Sequence, residues 1–122
     1  MSSLTPISIL IVHQNPSEIK GIDDLLQKKL YRTKKISNSG IKALRHILTK
    51  KPDIVILNHE LSYLNALDII KIVSKKELTT EFILISDKNI QITRYIKASS
   101  SIISTKNILQ EVEKVIKKRS KN

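Results

Sequence analysis

The segment KPDIVILNHELSYLNALDII, residues 51–70, joins a short apolar run to a longer amphipathic one and leaves an amide, Asn58, at the seam. DIVIL (53–57) is continuous and rich in β-branched residues, the pattern of a strand covered on both faces. Leu67, Ile70 and Val73 then recur at helical spacing. A strand followed directly by a helix is half of a βαβ unit, and the rest of the chain repeats it.

ISILIV (7–12) and EFILIS (81–86) are two further buried-strand patterns. After the first, Asn15 suits a helix cap, Pro16 the first turn and Glu18 a capping carboxylate, and Ile22, Leu25, Leu26 and Leu30 give a helical stripe. Residues 31–36 read as a polar edge strand, SNSG ending at Gly40 as a turn, and Ile41, Leu44, Ile47 and Leu48 as a second stripe. A short helix is expected over 90–97 and a short strand within SSSIIST (99–105). Ile108, Val112, Val115 and Ile116 fall on one face of a last helix. Five strands alternating with five helices predict an α/β, doubly wound (βα)5 three-layer sandwich around a five-stranded parallel sheet, with right-handed crossovers. No internal repeat or internal linker is visible, so residues 1–122 read as a single domain, with a linker beginning at 117–122.

The bulk composition fits this reading. A chain of 122 residues with 40% hydrophobic and 27% charged content is an ordinary globular domain, and 3% aromatic content leaves the core to Ile and Leu. The absence of Cys excludes disulfides and thiol chemistry and suits a reducing compartment. No run approaches a membrane span, and no basic region followed by an apolar one opens the chain. The expected location is the cytoplasm. The formal charge of +11 is less ordinary and attracts polyanions. Its lysines are spread along the chain, which also fits a compositional habit.

In an open parallel sheet, ligands bind beyond the carboxyl ends of the strands where strand order reverses. The residues to interrogate are therefore His13 and Gln14, Asn58, Ser86 and Asp87, and Lys106. These positions, with KPDIVIL and the pattern after it, resemble the receiver domain of bacterial two-component response regulators, chemotaxis-regulator-like and flavodoxin-like in fold. The resemblance covers nearly the whole chain. In that family an acidic pair follows the first strand, and here His13 and Gln14 stand there. The third strand ends in the phosphoaccepting aspartate, here Asn58. The Pro and the Asp-Gly pair that follow are replaced by Ser62 and by Asn65-Ala66. The switch Ser or Thr is kept as Ser86, the Lys after the fifth strand is kept as Lys106, and the aromatic switch position falls at Ile103.

The resemblance implies a fold and a role in phosphorelay signal transduction, but the residues withhold the chemistry. Mg²⁺ is a hard cation that wants anionic oxygens, and the aspartate is itself the nucleophile. His, Gln and Asn supply neither, so an atypical pseudo-receiver is expected, not an enzyme, with no cofactor. Lys106 then needs another partner, such as the Asn58 amide oxygen, Glu60 or Asp87. His13, Lys106 and Ser86 can be read as a weak anion site; a quiet polar network with water is the reading the sequence favours. A metal at His13 and His59 lacks a third ligand, and successive strand residues point to opposite sides, so no metal is expected. His46, beside Arg45, reads as solvent-facing or packing. Ser86 with His13 and Asp87 lacks the Gly-x-Ser-x-Gly turn of a hydrolase.

Two functions follow as expectations. The first is a phosphorylation-independent signalling module acting on a protein partner or a homodimer. The resemblance places that surface on the family's fourth helix, fifth strand and fifth helix, here about 89–117. It also implies a setting in transcription regulation, since many such domains precede a DNA-binding domain. The alternative is a nucleic-acid or polyanion binding module, nonspecific because no recognition motif and few aromatic rings are present. A third reading, a live phosphoacceptor at Glu60 or Asp87, requires a displaced nucleophile.

Overall fold

The computed structural model describes residues 6–13, 20–58, 61–76, 78–85, 101–103 and 108–120. Its strands are β1 (Ser8–His13), β2 (Arg32–Ser37), β3 (Ile54–Asn58), β4 (Glu81–Ile85) and β5 (Ser101–Ile103). The helices are α1 (Lys20–Lys28), α2 (Gly40–Lys50), α3 (Ala66–Ser74) and α4 (Ile108–Ser120). All pairings are parallel and the sheet order is β2-β1-β3-β4-β5, so the DIVIL run lies at its centre.

Strand alternation sorts the core into two layers. Leu10 and Val12 of β1, Val55 and Leu57 of β3, and Phe82 and Leu84 of β4 pack under α2 and α3 with Ala43, Ile47, Ile69, Ile70 and Val73. Ile9, Ile11, Ile54, Ile56 and Ile83 point the other way and pack under α1 and α4 with Leu26, Val112 and Val115. Both faces of the three inner strands are therefore dry, which is why their sequences run without polar interruption. The doubly wound three-layer sandwich expected from the sequence is the observed fold.

The helical stripes are rotated from their expected positions. In α2 the buried residues are Gly40, Ala43 and Ile47, while Ile41 is exposed. Small residues at 40 and 43 let the helix axis approach the sheet, so the contact line centres there and Ile41 turns outward. In α1 Leu26 is buried and Leu25 exposed. Leu30 lies past the helix end, in the left-handed region at φ 67° and 81% exposed, so it does not belong to the stripe. Val112 and Val115 are buried as expected, and the helix over residues 117–120 runs without a break from α4. The expected cap at Asn15 to Glu18 and the helix over 90–97 lie outside the described residues.

Polar β2 sits at the edge of the sheet and is anchored to α1 by one buried carboxylate. Asp23 accepts from the Thr33 hydroxyl at 2.8 Å and pairs with Lys35 Nζ at 3.1 Å. At the amino-terminal strand ends, Asp53 Oδ2 accepts from both the backbone N–H and the hydroxyl of Ser8, and Asp53 N–H donates back to Ser8. Thr80 Oγ1 donates to the carbonyl of Pro52 at 2.7 Å. The amino-terminal edge of the sheet is thus closed by short side chains, and the carboxyl-terminal edge carries the loops.

Candidate functional site

The chain passes from β1 outward to β2 and returns across β1 to β3, so strand order reverses between β1 and β3. A doubly wound sheet opens a crevice at that point. Val12 pairs with Leu57, which makes His13 and Asn58 the next residues on the two adjoining strand tips. By alternation with Ile9 and Ile11, and with Ile54 and Ile56, both belong to the α1/α4 face. His13 is buried at 6% exposure and Asn58 is half-buried. Two candidates distant in sequence are thereby brought together at the crevice, each as the last residue of its strand and not just beyond it.

Two loops form the neighbouring wall, and they are bonded to each other. Asn38 takes a left-handed backbone at φ 41°, its N–H donates to the carbonyl of His13 at 2.6 Å, and its Oδ1 accepts from Ser62 N–H at 3.1 Å. Ser39 caps α2, accepting from Lys42 N–H, and Gly40 N–H donates to the Ser62 carbonyl at 3.1 Å. A Cβ at Gly40 would fall 1.8 Å from the Leu64 carbonyl oxygen, so this approach requires glycine. The loop ends at Asn65, whose side chain caps α3 by accepting from Asp68 N–H at 2.9 Å. Ser62 and Asn65-Ala66, which stand where the resembling family carries Pro and Asp-Gly, therefore serve as loop anchor, helix cap and first helical residue.

Of the remaining candidates, Ile103 is the last residue of β5 and its backbone pairs with Ile85. Gln14, His59, Glu60, Ser86, Asp87 and Lys106 lie outside the described residues. His46 is half-buried on α2, and burial first, then the charges of Lys34 and Lys50, hold its imidazole below the usual histidine range. Among the described residues no three His, Asp or Glu side chains converge as a metal site. The bonds of Asn38 and Gly40 to Ser62 were not foreseen; the turn was legible, but its partner 24 residues on was not. The one available signal was a glycine in a chain that has only two.

What the crevice can do follows from its atoms. The tips of β1 and β3 offer an imidazole and an amide, both able to hydrogen-bond, and no anionic oxygen. An amide is a weak nucleophile and a poor ligand for a hard cation.

Solved structures share this architecture closely. The signal receiver domain of a protein described as a Luxo repressor, from Vibrio parahaemolyticus, superposes with a TM-score of 0.80 at 16% identity, over 93% of this chain and 92% of that one. A CheY-like response regulator receiver domain from Methanospirillum hungatei gives 0.79 at 11% identity, over 97% and 100%. The receiver domain of a Pseudomonas aeruginosa sensor histidine kinase, whose structure holds a magnesium ion in its active site cleft, gives 0.75 at 17%, over 92% and 98%. At these identities the likeness is one of fold. No protein-family model and no curated protein matches the sequence.

Proposed function

We propose that this chain is a receiver-like signalling module of the two-component type whose state is set by binding a partner, or a second copy, and not by phosphoryl transfer. The observation that carries the reading is Asn58 at the tip of the central strand, beside His13, at the crevice where strand order reverses. A receiver needs a carboxylate there, as nucleophile and as part of a Mg²⁺ site. An amide keeps the shape of the tip and its hydrogen bonding while removing the reaction.

The surface that the family likeness assigns to signalling spans about residues 89–117, of which β5 and α4 are described. An isoleucine at the family's aromatic switch position, Ile103, weakens coupling between crevice and surface, so partner binding, and not the crevice, sets the state of the surface. The likeness of fold supports the module, and the residue types at the strand tips support its independence of phosphate. Asp87 and Glu60 are the nearest carboxylates in sequence, and both follow, rather than end, the strand runs of the sequence.

Incubation with acetyl phosphate and Mg²⁺, followed by intact-mass measurement, tests this. No phosphoryl adduct is expected. A stoichiometric adduct would overturn the reading and place the chain among live switches.

A further inference from the structure

One stretch of the chain carries positive charge with no acid beside it in sequence. From Leu25 to Pro52 the sequence carries nine Lys and Arg and no Asp or Glu, against a net charge of +11 for the whole chain. The fold brings Lys34, Lys35, Lys42 and Arg45 of this stretch to the groove between edge strand β2 and helix α2, a cleft of about 480 Å³ also lined by Thr49, while Lys29 lies at the end of α1 and pairs with Glu113. Lys34 and His46 also line a second cleft of about 540 Å³ at the foot of the strands, where Arg32, Lys50 and Lys51 stand with one acid, Asp53, whose carboxylate accepts from Ser8. The two run into each other. Lys34, Lys42, Arg45 and Lys50 are all exposed, and none has a carboxylate partner among the described residues. Asp23, the nearest buried acid, is taken by Lys35.

A cationic edge strand guards against unwanted strand pairing, and that accounts for β2. It does not account for α2. This helix places Lys42, Arg45 and Thr49 on one outward face at spacings of three and four, has no acidic residue to pair with them, and lacks an acid in its first turn. Uncompensated charge on both walls of a groove is self-repelling, and a bound polyanion relieves it.

We propose that the β2–α2 groove binds the phosphodiester backbone of double-stranded nucleic acid without sequence specificity. Lys42 and Arg45 stand roughly 5 Å apart along one wall, and Arg32 and Lys34, alternate residues of β2, stand roughly 7 Å apart along the other. Duplex DNA presents a phosphate per about 1.7 Å of axis, so each cation meets one in any register. No Phe, Tyr or Trp lines either cleft, which removes the broad stacking platform a single strand uses. A bilayer is disfavoured by shape, since a planar headgroup layer touches only the rims of a groove and Ile41 is the one large apolar side chain exposed on α2. This surface belongs to α2 and β2, away from β5 and α4, and stands independently of the signalling proposal.

The test is fluorescence anisotropy of the full chain with a labelled duplex of arbitrary sequence. Binding at 50 mM salt is expected in the range of about 10⁻⁶–10⁻⁴ M, falling on the order of a hundredfold or more by 200 mM. The triple variant Lys34→Glu, Lys42→Glu, Arg45→Glu is expected to lose at least about tenfold more affinity at 50 mM than Lys75→Glu, Lys76→Glu, Lys114→Glu, which makes the same charge change elsewhere. If the reversal variant does not fold, the corresponding glutamine variant makes the same comparison. Duplex binding is also expected to raise the His46 pKa in an NMR titration, because phosphate offsets the field of Lys34 and Lys50. No binding at 50 mM, equal loss in the two triple variants, or tighter binding to phosphatidylserine vesicles than to duplex would each overturn the proposal.

Discussion

The backbone N–H of Asn38 donates to the carbonyl of His13 at 2.6 Å, so the turn before α2 is fastened to the strand tip that lines the crevice. The same residue accepts from Ser62 and holds a left-handed backbone. Asn38→Ala removes the acceptor and places a Cβ-bearing residue without a compensating bond at φ 41°, and is expected to cost about 1–3 kcal/mol in urea unfolding. Asn38→Gly loses the acceptor but relaxes the backbone, and is expected to cost less. Equal losses would show that the side-chain bond alone matters.

Gly40→Ala is expected to be worse than its chemistry suggests. The added methyl meets the Leu64 carbonyl oxygen at 1.8 Å and its carbon at 2.7 Å, both backbone atoms that can move only with the loop. Overpacking of this kind costs about 1–3 kcal/mol. Amide shifts of residues 61–65 should move together with the loss of stability; a variant with unchanged shifts and melting would contradict the clamp.

Asp23 makes acid stability depend on α1 and β2. Burial raises its carboxyl pKa, but hydrogen bonds with Gln27, Thr33 and Lys35 and the Lys35 charge outweigh this, leaving it below the usual 3.8. A folded pKa below the unfolded one gives stability that is present above 3.8 and lost as pH falls through the lower, folded value. Asp23→Asn is therefore expected to lower the unfolding free energy at neutral pH and to flatten its fall on acidification. Parallel curves for the two proteins in chemical denaturation across that range would remove Asp23 as the cause.

Asn58→Asp restores a nucleophile but leaves His13 and Gln14 in place of an acidic pair. Little or no Mg²⁺ binding is expected by calorimetry, because one carboxylate makes a poor site for a hard cation. Adding His13→Asp and Gln14→Asp should bring binding back. Tight Mg²⁺ binding by the single variant would mean that the crevice is assembled from other residues.

The sequence foretold this fold best where burial is most complete. DIVIL and ISILIV have no polar face because helices cover them on both sides, and β2 was legible as an edge strand because only Ile36 of its residues packs into the core below α2. The helical faces were less legible. A stripe of Ile and Leu marks the apolar side of α2, yet Gly40 and Ala43 decide its axis of contact, and small residues carry no hydropathy signal. The placing of His13 and Asn58 on adjoining strand tips depended on strand order, which periodicity does not encode. The bonds from Asn38 and Gly40 to Ser62 are long-range backbone geometry and left almost no mark in composition.

The all-parallel order of the sheet has a consequence in time. No two neighbouring strands are joined by a hairpin, so each pairing waits for a crossover to be made. Ser8 and Asp53, which lock the feet of β1 and β3 together, are 45 residues apart. At ribosomal speeds of about 5–20 residues per second, that separation is roughly 2–9 s of synthesis. For the first half of it the ISILIV strand has no partner at all, and afterwards only the polar β2, so that its other edge and much of its apolar surface stand open. A strongly hydrophobic segment of the protein is thus made early and buried late, and holdase chaperones would meet this chain there.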